Sequence, residues 1–236
     1  LGCTAMDTIV LNQPDTIVIE LVPQAVSCAE AADGGFQTVV TGGVQPYSYA
    51  WSNNATTPEI TGLMAGSYCL TITDANGCEQ ITCADITAPP VLLVDSISFT
   101  PTLCNGTEDG TATVFVSGGT GDYDFLWDDN LSQSSATANM LSAQMYTVTV
   151  TDDNNCVAEQ SVTITEPDSL SVTYDVQDAS CNGSSDGVAT ALPSGGTAPY
   201  NFIWSNQQEG PTAEGLAAGE VQVTITDVNG CILESA

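Results

Sequence analysis

The sequence predicts an all-β protein made of tandem β-sandwich repeats. Three observations support this fold class: a threefold internal repeat, short segments in which apolar residues alternate with threonine, and six cysteines, of nine, that recur with the period of the repeat. Thr, Ser, Val and Ile are abundant, with 21 Gly and 11 Pro at intervals between the apolar segments. Such segments, each bounded by turn residues, are typical of short strands in a sandwich.

Three tryptophans mark an internal repeat of about 77 residues. Each tryptophan ends a segment in which a Gly-Gly pair is followed by aromatic residues at every second position; they are Trp51, Trp127 and Trp204. Because successive side chains of a strand point to opposite faces, the aromatic rings share one face. Large rings on a shared face fill a core. We therefore expect core rings here, and not an exposed sugar-binding platform.

A second block follows each tryptophan and combines a strand with a turn. The three copies are Leu70–Cys78, Val148–Cys156 and Val223–Cys231. Alternation of apolar residues with threonine predicts a half-buried strand. The Asp, Asn and Gly residues that follow predict a tight turn, because these residue types tolerate its backbone angles.

Proline-containing segments separate the copies and give the predicted domain boundaries. The predicted repeats cover residues 15–89, 90–166 and 167–236, the third being shorter than a full copy. Residues 1–14 match the tail strand of a preceding repeat, with Leu11 in the position of Ile164 when the cysteines are aligned. Each copy offers six or seven short strands, which favours an immunoglobulin-like sandwich.

Cysteine spacing predicts one long-range disulfide in each copy, since the same interval of about 50 residues recurs three times. The predicted pairs are Cys28 with Cys78, Cys104 with Cys156, and Cys181 with Cys231. A loop of this length gives about 4 kcal/mol of stabilisation by the chain-entropy estimate. A domain of about 75 residues has a small core, so its stability depends on such a bond.

Three cysteines remain after this assignment. Cys69 and Cys83 flank the first turn symmetrically, and their counterparts in the second copy are the polar residues Thr147 and Ser161. This pattern predicts a cross-strand disulfide on the outer face; two free thiols are the alternative. Cys3 belongs to the tail strand, so its partner is expected upstream. Nine cysteines without histidine favour disulfides over zinc and indicate an oxidising, extracellular location.

The charge of the chain excludes several functions. There is no Lys, Arg or His against 29 acidic residues, which gives a net charge of -29. Nucleic-acid binding needs cationic side chains, and anionic membrane surfaces repel a polyanion. The sequence has no apolar run long enough for a membrane span. We therefore expect neither nucleic-acid binding nor membrane insertion.

Several motifs together resemble the SprB repeat of Bacteroidetes surface proteins. They are Cys-Asn-Gly-x-x-Asp-Gly at Cys104–Gly110 and Cys181–Gly187, then Gly-Gly, Pro-Tyr-x-Phe/Tyr-x-Trp, Leu-x-Ala-Gly and Thr-x-Thr-Asp-x-Asn-Gly-Cys. The first copy departs with Cys28-Ala29-Glu30, and the second has Asn155 in place of the turn glycine. The resemblance implies a long, secreted adhesin or filament that is exported by type IX secretion, as in the adhesins of gliding motility. It implies no reaction.

Catalysis is not expected, because the usual general base, histidine, is missing and no Ser or Cys has a partner base. Calcium is the candidate cofactor, since Ca²⁺ prefers oxygen ligands and the chain has no cation of its own. The candidate ligands are Glu30 with Asp33, Glu108 with Asp109, and Asp152 with Asp153. Turn formation by these aspartates and diffuse screening of their charge are the alternatives.

Four Asp-Ser/Thr-aliphatic triplets resemble Bacteroidetes O-glycosylation sites. Their hydroxyl-bearing residues are Thr8, Thr16, Ser96 and Ser169. The alternative is that these triplets only form the starts of strands and carry no glycan.

The sequence therefore predicts a structural repeat segment of an extracellular bacterial surface adhesin or filament, which mediates surface attachment, motility or cell–cell contact. The expected partners are neighbouring repeats of the same long chain and further copies in a homo-oligomeric bundle or filament. The alternatives are a subunit of a bundled or polymerised extracellular appendage and a module that binds surface glycans.

Overall fold

A computed structural model describes residues 5–235 of the chain, and within that range every regular element is a β-strand. Cys3 and its predicted upstream partner lie outside the described residues. Residues 5–14, the predicted tail strand, form no strand and are exposed. The predicted all-β fold is confirmed.

The first copy folds into two three-stranded antiparallel sheets. Its strands are β1 (Val18–Gln24), β2 (Gly34–Thr41), β3 (Ser48–Trp51), β4 (Ile60–Leu63), β5 (Gly66–Thr73) and β6 (Glu79–Ile86). One sheet has the order β1-β2-β4 and the other β3-β5-β6. The chain thus changes sheet after β2, β3 and β4, which is the crossing pattern of immunoglobulin-like sandwiches.

The same pattern recurs twice more. The second set of strands is β7 (Leu93–Thr100), β8 (Gly110–Ser117), β9 (Tyr123–Trp127), β10 (Thr137–Leu141), β11 (Met145–Asp152) and β12 (Val157–Thr163). The third is β13 (Ser171–Gln177), β14 (Gly187–Ser194), β15 (Asn201–Trp204), β16 (Thr212–Leu216), β17 (Val223–Thr226) and β18 (Ile232–Ser235). Their sheets have the orders β10-β8-β7, β12-β11-β9, β13-β14-β16 and β15-β17-β18.

The aromatic residues occupy the cores, as their spacing predicts. Trp51, Trp127 and Trp204 are 4%, 1% and 2% exposed, whereas the residues that alternate with them point outward. In the first copy the ring of Phe36 stacks on Trp51 with centroids 5.5 Å apart. Each indole N–H donates to a backbone oxygen, at Thr57, Ser135 and Gly210 respectively. The polar end of each ring is therefore satisfied inside the sandwich.

The described chain divides into two compact units that do not follow the sequence repeats. One unit runs up to Leu93 and also contains Ser117–Tyr123 and Thr151–Val157. The other contains Val94–Val116, Asp124–Val150 and the residues from Ala158 onward. A short part of the second copy, including its turn at 151–157, therefore belongs with the first copy. The repeat boundaries drawn from the sequence stay a prediction.

Candidate functional site: joints between a cysteine loop and an aspartate turn

Each copy has an aspartate whose carboxylate organises the turn after the fifth strand. In the first copy Asp74 Oδ1 accepts hydrogen bonds from the N–H groups of Asn76 and Cys78, both at 2.9 Å, and Oδ2 accepts one from Val44 N–H at 3.0 Å. The N–H of Cys78 is the main cause of a lowered pKa for Asp74. Asp152 and Asp227 make the same contacts in the other copies, and all three are buried. These hydrogen bonds define the backbone path of the turn and so the position of its cysteine.

The Gly-Gly pair lets the chain pack against this turn. Gly42 has φ +74°, and a Cβ there would collide with the backbone oxygen of Thr16. A Cβ on Gly43 would press against Ile17 and the carboxylate of Asp74. The equivalent glycines in the other copies are equally constrained. Only glycine combines this backbone angle with so little space.

A second aspartate organises the loop that carries the first cysteine of each copy. Asp186 accepts hydrogen bonds from the Ser180 hydroxyl at 2.6 Å, the Ser180 N–H at 2.9 Å and the Ser184 hydroxyl at 2.8 Å. These donors lower the pKa of Asp186 to about 2. Asp33 and Asp109 accept from the N–H groups of Ser27 and Leu103 in the same way.

The cysteine loop of one copy is bonded to the aspartate turn of the following copy. Cys28 forms a disulfide with Cys156, with Cα atoms 5.7 Å apart. Beside it, the side-chain amide of Asn154 donates to the backbone oxygen of Ser27 at 3.0 Å. We call this combination of a disulfide and a hydrogen bond a joint. Its cysteine loop and its aspartate turn lie in the same compact unit.

The second joint has the same construction. Cys104 forms a disulfide with Cys231, with Cα atoms 5.6 Å apart, and Asn229 Nδ2 donates to Leu103 O at 3.0 Å. Both joints thus consist of one disulfide and one asparagine hydrogen bond, although their sequences differ in the loop. Cys78 and Cys181 are free and exposed.

The predicted disulfides within each copy, Cys28–Cys78, Cys104–Cys156 and Cys181–Cys231, are therefore wrong. The physical reason is that the loop and the turn lie at opposite ends of a sandwich. The loop lies beside the end of β6, since Val26 N–H donates to Thr87 O, whereas the turn precedes the start of β6. A strand of this length spans about 24 Å, far beyond the Cα separation that a disulfide allows.

The structure also contains a disulfide between Cys69 and Cys83. The two residues are directly opposite each other in the β5–β6 pair. In the second copy the hydroxyls of Thr147 and Ser161 lie 3.0 Å apart at the same positions. The bond therefore closes one hairpin and does not link copies.

The candidate calcium ligands lie in these loops and turns, where backbone N–H groups and hydroxyls already engage Asp33, Asp109 and Asp152. Residues 5–235 contain no cluster of three or more acidic or cysteine residues that could hold a metal ion. The calcium site stays a prediction. All four candidate glycosylation residues are exposed, and their modification likewise stays a prediction.

The sequence matches the family model of the SprB repeat at residues 22–56, 96–132 and 173–208. Three segments of the chain, one in each copy, therefore match the SprB repeat. The predicted resemblance is thus confirmed. Each matched segment begins within the first strand of a copy and ends after the core tryptophan of that copy. SprB repeats are found in surface proteins, and the disulfides fit an extracellular protein. No curated protein matches the sequence.

Solved structures with a similar fold are built of immunoglobulin domains. One chain in the crystal structure of Dpr2 Ig1-Ig2 in complex with DIP-Theta Ig1-Ig3 is 11% identical with a TM-score of 0.32, over 94% of this chain and 98% of that chain. The N-terminal four Ig domains of Dscam1 isoform 6.44 are 13% identical with a TM-score of 0.27, over 96% and 73%. At these values the likeness carries no argument about partners. Among the described residues, no helix has the length and hydropathy to cross a membrane.

Proposed function

We propose that the SprB repeats of this chain form a load-bearing segment of an extracellular bacterial surface adhesin or filament. Attachment, motility or cell–cell contact would depend on it, and export by type IX secretion belongs to the same proposal. The observation that supports it is the pair of disulfides that bond each cysteine loop to the turn of the following copy. Such bonds add a second covalent connection to the polypeptide between copies.

The two disulfides limit how far the chain can be stretched. The loops that they close overlap, because Cys104 precedes Cys156 in the sequence. A pulling force therefore follows the backbone to Cys28, crosses to Cys156, returns to Cys104 and crosses to Cys231. Roughly 85 residues of backbone carry this path, so full unfolding extends the chain to about 300 Å, against about 800 Å when no disulfide is present.

Single-molecule force spectroscopy on the 236-residue chain tests this role. We expect a final contour length of about 300 Å in oxidising buffer and about 800 Å after reduction. The matched control is Cys69→Ser with Cys83→Ser: this disulfide lies outside the force path, so its loss should leave the oxidised length unchanged. An oxidised length near that of the reduced chain would exclude a load-bearing role for the joints.

Location is tested independently with antibodies against the chain on intact cells. We expect electron microscopy to show label on the cell surface or on structures that project from it. Label confined to the cytoplasm would contradict the adhesin proposal.

A further inference from the structure

The outer face of the sheet β1-β2-β4 in the first copy contains a hollow of about 240 Å³. Six residues that alternate with core residues line it in two rows across the strands. The rows are Gln24, Gly35 and Thr61, and then Val22, Gln37 and Glu59. Because Gly35 has no side chain, the floor of the hollow is backbone, and longer side chains stand around it.

The other two copies fill the position of Gly35 with a side chain. Counted back from the core tryptophan, the counterparts of Gly35 are Thr111 and Val188. The hydroxyl of Thr111 also bonds that of Thr100, 2.8 Å away on the neighbouring strand. A Cβ on Gly35 itself would lie 2.6 Å from Ile60 O. The hollow therefore depends on a glycine that only the first copy has at this place.

The polar residues at the rim differ between the copies as well. In the second and third copies two threonines take the positions of Gln37 and Glu59, and their hydroxyls bond each other. These pairs are Thr113 with Thr137 at 2.9 Å and Thr190 with Thr212 at 3.0 Å. In the first copy the side chains of Gln24, Gln37 and Glu59 form no hydrogen bond with any other residue of the described chain. Their oxygen atoms are thus open to a ligand.

The chemistry of the hollow selects a cation with an aliphatic stem. Glu59 supplies a carboxylate, and the chain contains no Lys, Arg or His to neutralise it. The exposed side chain of Val22 supplies an apolar wall. Phe36, the aromatic residue of the lining, is 2% exposed, so the lining offers no open ring on which a sugar could stack. The net charge of -29 attracts cationic ligands and repels anionic ones.

We propose that this hollow binds the side chain of a lysine on a partner protein. A lysine combines a four-carbon stem with a compact ammonium group that donates three hydrogen bonds. The stem lies against Val22, and the ammonium group donates to Glu59 and to the side-chain oxygens of Gln24 and Gln37. An arginine carries its donors in a rigid fork, which suits these three separate acceptors less well. The site adds a binding function to the load-bearing role and does not depend on it.

NMR titration of the full chain tests the proposal, with lysine capped at both backbone ends as the probe. We expect the side-chain amide signals of Gln24 and Gln37 to shift with increasing probe concentration. Two matched probes separate the parts of lysine: capped norleucine has the stem without the charge, and methylammonium has the charge without the stem. Neither should shift these signals at the same concentration. Equal shifts with either of them, or with glucose, would overturn the proposal.

Substitutions locate the binding in the hollow. Glu59→Gln should weaken lysine binding about tenfold, because a neutral hydrogen bond replaces a charge-assisted one. Glu79→Gln is the matched control, since it removes the same charge from an exposed residue of β6, in the other sheet, and should leave the affinity unchanged. Equal effects of the two variants would overturn the assignment.

A double variant closes the site without an unfamiliar arrangement. Gln37→Thr with Glu59→Thr restores the threonine pair of the other copies, so it should abolish lysine binding and leave the melting temperature close to that of the unsubstituted chain. Lysine binding at full affinity by this variant would show that the ligand lies elsewhere.

Free amines in the surroundings offer the same chemistry as a lysine on a protein. Free lysine is therefore compared with capped lysine, whose backbone is that of a residue inside a polypeptide. We expect the free amino acid to bind no more tightly than the capped one; tighter binding would assign the hollow to a small molecule and overturn the partner-protein assignment. Failure of this site leaves the force path through the disulfides intact, so the two proposals are tested separately.

Discussion

The disulfides between copies predict how many free thiols the double variant Cys28→Ala with Cys156→Ala contains. According to the structure these two residues are bonded to each other, so the variant removes one disulfide and leaves no new thiol. With bonds inside each copy, the same variant would break two disulfides and leave Cys78 and Cys104 unpaired. The number of free thiols therefore distinguishes the two arrangements.

The expected cost in stability follows from the size of the closed loop. The disulfide spans 128 residues, and the chain-entropy estimate for such a loop is about 5 kcal/mol. The comparison variant is Cys69→Ala with Cys83→Ala, which opens a loop of 14 residues and should cost about 3 kcal/mol. Urea denaturation followed by tryptophan fluorescence measures both values.

Thiol titration of the unfolded variants gives the decisive measurement. We expect the Cys28→Ala, Cys156→Ala chain to contain as many titratable thiols as the unsubstituted chain. Two additional thiols would refute the assignment of the joints, and with it the structural basis of the load-bearing role.

Three further predictions concern the parts that position the joints. Gly42→Ala should destabilise the chain by about 3 kcal/mol or more, because the added Cβ meets a backbone oxygen. Gly77→Ala, at φ +79° but in open space, should cost only about 1–2 kcal/mol. Urea denaturation measures both losses, and equal losses would contradict the role of packing at Gly42. The gap in unfolding free energy between the unsubstituted chain and Asp74→Asn should be constant from about pH 5 to 7. It should shrink as the pH falls below about 4 and through the lowered pKa of Asp74, since that carboxylate stabilises the fold only while ionised; a gap unchanged at pH 2 would contradict this cause. Ile164→Ala should cost about 2–5 kcal/mol by opening a cavity in the core of the second copy, where Ile164 is 1% exposed; a calorimetric change below 1 kcal/mol would show that this side chain is not part of the core.

Local patterns predicted the elements of the fold well. Aromatic residues at every second position placed Trp51, Trp127 and Trp204 in the cores, because the period of a strand is fixed by its backbone. The Asp-x-Asn-Gly-Cys turns also formed as predicted, since an aspartate bonds backbone N–H groups only a few residues away. Both features depend on residues that are close in the sequence.

The partners of the long-range disulfides could not be predicted from spacing. A period of one repeat fits a bond within a copy and a bond to the next copy equally well, because every copy contributes one loop cysteine and one turn cysteine. Cys69 and Cys83 were different, since a hairpin register places residues at equal distances from the turn opposite each other.

The sequence by itself determined that this chain consists of repeated, disulfide-bonded β-sandwiches with a large negative charge. Only the tertiary structure decided that Cys28 faces Cys156, that Cys104 faces Cys231, and that Cys78 and Cys181 remain free. The reason is geometric: a strand carries the chain about 24 Å from one end of a sandwich to the other. Which loop meets which turn depends on how successive copies are placed, and a one-dimensional pattern does not contain that placement.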